Sequence, residues 1–185
     1  MKSESEYIQE LCPINTRAYN LFKEYKKECS VFIECGCHIG QTCEKAVFLG
    51  YEKIYSCDIY EDLVEQTKDR LKKYDIQHDI KHQNSENFLK ELLPTINSKA
   101  TIWLDAHPID GQQTGIPLFK ELDIIKEKSL HNNHSILIDD LQIFFSNQIE
   151  EIKDKIKSIN PNYKINFGYV HNRGLNNPDI LIADL

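Results

Sequence analysis

Glycine is scarce where a dinucleotide would need it. The chain has 7 glycines in 185 residues, and no three of them fall in the G-x-G-x-x-G spacing that lets a backbone close on a pyrophosphate. Positive charge is also in short supply. With 22 Lys and Arg against 29 Asp and Glu, the net charge is -7, which disfavours an extended nucleic-acid or anionic-membrane surface. No apolar run is long enough to suggest a transmembrane helix, and Met1-Lys2-Ser3-Glu4-Ser5-Glu6 does not read as a signal peptide. The expectation is a soluble, cytoplasmic protein. Paired C-x-x-C spacing is missing as well. The 6 cysteines, at 12, 29, 35, 37, 43 and 57, read as free thiols in a chain without a secretory signal. Cys35, Cys37, His38 and Cys43 lack the usual zinc spacing and read as filling for a crowded turn. Repeats, low-complexity tracts and linkers are absent too. The length suits one domain over residues 1–185, with 1–30 as a helical segment packed on it.

What is present centres on Val31-Phe32-Ile33-Glu34-Cys35-Gly36-Cys37-His38-Ile39-Gly40-Gln41-Thr42. A short apolar run reads as a buried strand, a glycine-containing turn follows, and residues 41–49 can wind as a helix with Thr42 near its start as a cap. Strand, tight turn and helix N-terminus form a nucleotide site in open α/β sheets. Glu34 puts a negative charge at the strand end, which suits a cationic ligand better than a diphosphate.

The alternation continues along the chain. Helices are expected over 15–27, 61–74, 84–93, 117–128 and 148–159, from apolar residues at helical spacing, with Ser85 as the cap of the third of these. Strands are expected over 53–59, 78–83, 100–104, 135–138, 163–169 and 179–184. The last two are joined by a loop over 171–178, too short for a crossover, so that pair must be antiparallel. The pattern implies a doubly wound, Rossmann-like α/β sheet. It has seven strands, mostly parallel, with an antiparallel last strand and helices on both faces.

Acidic residues recur at the strand ends. Asp58 lies 22 residues after Gly36, close to the ~20 expected for a carboxylate that accepts ribose hydroxyls. Asp105 closes the fourth strand, and Asp139 and Asp140 close the fifth. Neighbouring parallel strands sit about 4.8 Å apart, so these three carboxylates share one rim. Their repulsion calls for a divalent cation, and oxygen ligands favour Mg²⁺ or Mn²⁺. The loop after the sixth strand leaves on the same rim. Its His171, Asn172 and Arg173 are placed to meet an acceptor, and Arg173 could pair with a phosphate.

Glu34-x-Gly36-x-x-x-Gly40, followed by Asp58, resembles motif I of class I S-adenosylmethionine (SAM) methyltransferases, with His38 where that family has a further glycine. A more specific resemblance lies in Trp103-Leu104-Asp105-Ala106-His107 and Ile136-Leu137-Ile138-Asp139-Asp140. These look like metal-dependent O-methyltransferases acting on sugar hydroxyls, in which the fourth strand ends in Asp-x-Asp and the fifth in Asp-Asp. Here the second Asp of the first pair is His107. The resemblance implies SAM contacts at Glu34, Gly36, Cys37, His38, Gly40, Thr42, Asp58, Ile59 and Asp105, with Asn84 or Ser85 at the adenine. It implies a metal at Asp105, Asp139 and Asp140. His107, with Asp105, is expected to be the catalytic pair, because an imidazole titrates near neutral pH and can remove the acceptor proton.

The implied acceptor is a small sugar, a nucleotide sugar or a glycan. Two other classes stay open, a NAD-dependent oxidoreductase and a non-catalytic SAM-fold binding module. Oligomeric state is open too, a homodimer included. Richness in Lys, Ile and Asn points to an AT-rich genome, bacterial or viral, with the host cytoplasm as location in the second case.

Overall fold

A computed structural model describes residues 4–10, 13–107, 115–169 and 178–185. Seven strands form one sheet: β1 (Val31–Cys35), β2 (Lys53–Asp58), β3 (Gln77–His82), β4 (Ala100–Leu104), β5 (Ser135–Ile138), β6 (Lys164–Gly168) and β7 (Ile180–Asp184). The helices are α1 (Glu4–Glu10), α2 (Pro13–Lys26), α3 (Gln41–Phe48), α4 (Glu61–Leu71), α5 (Ser85–Leu92), α6 (Leu118–Lys128), α7 (Leu141–Phe144) and α8 (Ile149–Ile159). Among the described residues no helix is long and apolar enough to cross a membrane.

The strand order is β3-β2-β1-β4-β5-β7-β6. The first five strands are parallel, and β7 is antiparallel to both β5 and β6. The expected reversed strand is present, inserted between β5 and β6. That insertion departs from the 3-2-1-4-5-6 order of dinucleotide-binding sheets and weighs against the oxidoreductase alternative.

Burial follows from apolar sequence on both faces. Every residue of β1, β4, β5 and β7 is buried, as continuous apolar runs demand, whereas the edge strand β3 buries only Ile80. Successive side chains serve opposite cores. Ile33, Ile102, Ile136 and Leu181 pack on α5, α6 and α8, while Phe32, Trp103, Leu137 and Ile182 pack on α2, α3 and α4.

Two caps differ from the sequence reading. The N-cap of α3 is Gly40 rather than Thr42, in the left-handed region with no side-chain cap bond. The N-cap of α5 is Asn84 rather than Ser85, and its Oδ1 accepts from the Asn87 backbone N–H at 2.9 Å. Asn and Ser can each cap through a side-chain oxygen, amide in one and hydroxyl in the other, and the backbone geometry selects between them. The short helix α7 was not expected, while α1 falls within the expected helical segment 1–30. Tyr7 of α1 stacks on Phe48 of α3 with ring centroids 3.8 Å apart.

Candidate active site

β1 pairs with β2 on one side and β4 on the other, so the strand order reverses there and a crevice opens at the carboxyl ends. A cleft of about 440 Å³ fills it, with Asp58 and Asn84 toward one end and Asp105 and His107 at the other.

The β1 turn is shaped by backbone. Gly36 has φ +93°, and a Cβ there would fall 2.6 Å from the backbone oxygen of Asp105. Only glycine lets β1 approach the end of β4 so closely. Gly36 and Cys37 both donate backbone N–H groups to the Cys57 carbonyl, at 3.0 and 2.9 Å. His38 follows with φ +46°, lines the cleft, and donates its backbone N–H to Asp58 Oδ2 at 2.9 Å. Asp58 Oδ1 accepts from the Tyr60 backbone N–H at 3.1 Å. Each carboxylate oxygen keeps a second lone pair, so Asp58 is held in place and can still accept two ligand hydroxyls. Beside it Ile59 and Tyr60 are exposed apolar side chains in the cleft wall, and Asn84 and Ser85 continue that wall.

Four residues that the motif resemblance places at SAM are not in the cleft wall: Glu34, Cys37, Gly40 and Thr42. Glu34 is buried and pins the turn from beneath. Its carboxyl accepts from the Cys43 thiol at 2.9 Å and the Ser56 hydroxyl at 2.8 Å. Burial pushes its pKa up to about 7. Cys37 is buried against Thr67, and burial pushes its thiol up to about 12. Gly40 lies so close to α4 that a Cβ would meet Thr67 Cγ2 at 2.9 Å. The five described cysteines are buried free thiols.

The β4–β5 corner is built from charged side chains. His107 Nε2 lies 3.3 Å from Asp105 Oδ1 and 3.1 Å from Asp140 Oδ2. One ligand atom from each of Asp105, His107 and Asp140 falls within 4.8 Å of the other two, a spacing that one metal ion can bridge. Asp139 is not in this group. Its Oδ1 accepts from the Asp140 backbone N–H at 2.7 Å. Consecutive residues send their side chains apart, and Asp140 turns further by adopting φ +55°. So Asp105 and Asp140 meet His107, where the sequence reading had grouped them with Asp139. The Trp103 indole N–H also points to Asp105, at 3.4 Å, and Phe144 lies over the His107 ring with centroids 4.8 Å apart. Burial raises the pKa of Asp105, and the bond to His107 opposes that rise.

Several lining residues escaped the sequence reading, among them Tyr60, Leu63, Gln83 and Glu86. So did Glu121, a buried acid on α6 whose pKa burial pushes up to about 7. A signal for it existed. Leu118, Glu121, Leu122 and Ile125 form an i, i+3, i+4, i+7 stripe, so the acid sits on the apolar face. The expected acceptor residues His171, Asn172 and Arg173 lie outside the described residues.

No protein-family model matches the chain, and no curated protein matches it. Solved structures do. An SAM-dependent methyltransferase from Archaeoglobus fulgidus superposes with a TM-score of 0.61 at 16% identity, covering 99% of this chain and 95% of that one. An S-adenosylhomocysteine (SAH)-bound methyltransferase from Podospora anserina gives 0.60 at 12% identity, covering 98% and 85%. A Staphylococcus aureus protein, named as a candidate caffeoyl-CoA O-methyltransferase, gives 0.58 at 17% identity, covering 100% and 93%. At such identities the likeness is one of architecture, and the chain has the fold of class I SAM-dependent methyltransferases.

Proposed function

We propose that the protein is a SAM-dependent O-methyltransferase, assisted by a divalent cation, that methylates a hydroxyl of a sugar, a nucleotide sugar or a glycan. The observation that carries this reading is the meeting of Asp105, His107 and Asp140 at one end of a cleft that presents Asp58 toward the other. The cleft has the volume of a small-cofactor site. Asp58 would accept the ribose hydroxyls, Ile59 and Tyr60 would cover the adenine, and Asn84 or Ser85 would meet its edge. A corner with two carboxylates favours a positively charged sulfonium over the pyrophosphate of a nicotinamide cofactor. The SAH-bound neighbour from Podospora anserina supports the same cofactor.

The donor set at the corner fits a divalent cation, since two carboxylates suit Mg²⁺ or Mn²⁺ and the imidazole shifts the preference toward Mn²⁺. Bound there, such a cation supplies Lewis acidity that lowers the pKa of an acceptor hydroxyl. The chain's own part is to align the acceptor oxygen with the methyl carbon and sulfur, from which much of the acceleration would come. The distances of 3.3 and 3.1 Å from His107 Nε2 are also hydrogen-bond lengths, which favours a second reading without the cation. In that reading the two carboxylates hold Nε2–H, which sets the tautomer in which Nδ1 takes the acceptor proton. They also stabilise the imidazolium that results. Acceptor recognition is proposed for His171, Asn172 and Arg173, because β6 ends at Gly168 on the same rim.

A mass-spectrometric screen of nucleotide sugars and glycans with SAM tests the reading. Methyl transfer that stops in EDTA and returns with Mn²⁺ or Mg²⁺ supports the cation, and transfer that persists in EDTA selects the His107 version. SAM binding without transfer to any hydroxyl would leave a non-catalytic binding module.

A further inference from the structure

Beneath the catalytic corner lies a group that neither reading uses. Glu121 stands on the inner stripe of α6 and is 1% exposed. The Ser85 hydroxyl, in the first turn of α5, and the Cys35 thiol, at the end of β1, lie near its carboxyl. Its Oε1 has no hydrogen-bond partner among the described protein groups. A buried carboxyl oxygen left alone is costly, and native proteins meet that cost with an ordered water where there is room. There is room here. A cavity of about 10 Å³ lies between α6 and the ends of β4 and β5, and Glu121, Asp105, His107 and Asp139 all contribute to its wall. One water needs space of that order and two to four polar partners. The rest of the wall is apolar, including Leu104, Leu118 and Ile138, so those four side chains are where a water would bond.

We propose that Glu121 is a positioning residue for the catalytic corner: through one water held in this cavity it steadies the Asp105 carboxylate, and with it the arrangement of Asp105, His107 and Asp140. Glu121 touches neither cofactor nor acceptor and acts through Asp105. The consequence for metal affinity rests on the reading above, whereas the water and the orientation of Asp105 do not. Groups that orient metal ligands from behind commonly change affinity by 10- to 100-fold when removed.

Crystal structures of the parent, Glu121→Gln and Glu121→Leu test the proposal. Gln keeps the size and an oxygen, and Leu fills similar space with no polar atom. The parent and Glu121→Gln should each show one water bonded to residue 121 and to Asp105, and Glu121→Leu should lack it and turn Asp105 away from His107. Manganese affinity, read by electron paramagnetic resonance, should fall about 10-fold in Glu121→Leu and recover to within about threefold in Glu121→Gln. An empty cavity in the parent, or an unmoved Asp105 in Glu121→Leu, would overturn the proposal and leave Glu121 a packing residue. Should Glu121→Leu not fold, the more flexible Glu121→Met takes its place in each comparison. If the parent takes up no manganese, the metal reading fails by itself and the crystal structures still decide on Glu121.

Discussion

The two ends of the cleft are built by different means. At the β1–β2 end the working parts are backbone: the positive φ of Gly36 and Gly40, and the N–H groups of His38 and Tyr60 that hold Asp58. At the β4–β5 end they are side chains, with Asp105, His107 and Asp140 brought within hydrogen-bond reach. The contrast teaches where each end is fragile. A backbone-built site fails by collision and strain, a side-chain-built site by loss of charge or a proton carrier. Both ends rest on a buried acid, Glu34 beneath the first and Glu121 beneath the second.

The largest effect is expected from Gly36→Ala, which adds a Cβ 2.6 Å from the Asp105 backbone oxygen at φ +93°. It should cost roughly 2–4 kcal/mol in urea unfolding and abolish SAH binding by calorimetry, since strain and overpacking add. Gly50→Ala sharpens the comparison. Gly50 has φ +75° but open space around it, so the cost should be only about 1–2 kcal/mol, with SAH binding intact. Equal losses in the two variants would show that conformation, not the approach to β4, sets the demand at Gly36.

At the other end, His107→Ala should leave SAH affinity in place and lower the methyl-transfer rate by roughly two to four orders of magnitude if His107 carries the proton. If it instead serves as a ligand, the variant should lose Mn²⁺ affinity by a similar factor. Next in size, Asp58→Ala should weaken SAH binding by about 10- to 100-fold, because the two ribose hydroxyls lose a charged acceptor. Unchanged affinity would remove Asp58 from the cofactor site.

The smallest effect separates the two buried acids from the surface. Glu34 and Glu121 each have a folded pKa raised to about 7 against 4.5 for a free glutamate. An acid raised on folding stabilises fully below its unfolded pKa, and that contribution is lost as pH rises through the folded pKa. Stability should therefore decline between about pH 4.5 and 7 from these groups. Glu34→Gln or Glu121→Gln should raise the urea midpoint relative to the parent at pH 8 but not at pH 4.5. A midpoint difference that does not vary with pH would mean the carboxyls are ionised in the folded protein.

The strands and their order of appearance were legible because continuous apolar runs such as Ala100–Leu104 have no other stable place than a sheet covered on both faces. Asp58 and Asp105 were legible for a related reason, as charges that end such runs must emerge at the rim. Glu121 was missed because an acid in a helix reads as solvated unless its phase against Leu118, Leu122 and Ile125 is checked. The cap of α5 fell to Asn84 rather than the expected Ser85 because adjacent residues differ as caps only in backbone torsion.

By itself, then, the chain's pattern of apolar runs, glycines and terminal carboxylates determined the sheet, its reversed strand and the rim at which those carboxylates emerge. Those features depend on periodicity and on where charge interrupts it, and both are local. Which carboxylates face one another was decided only by tertiary structure. Asp139 and Asp140 are neighbours in sequence, but the left-handed turn at Asp140 aims it at His107, while Asp139 takes the Asp140 backbone N–H and faces the cavity above Glu121. Side-chain direction at a strand end depends on one backbone torsion and on the groups packed behind it, and no spacing rule in the sequence carries that information.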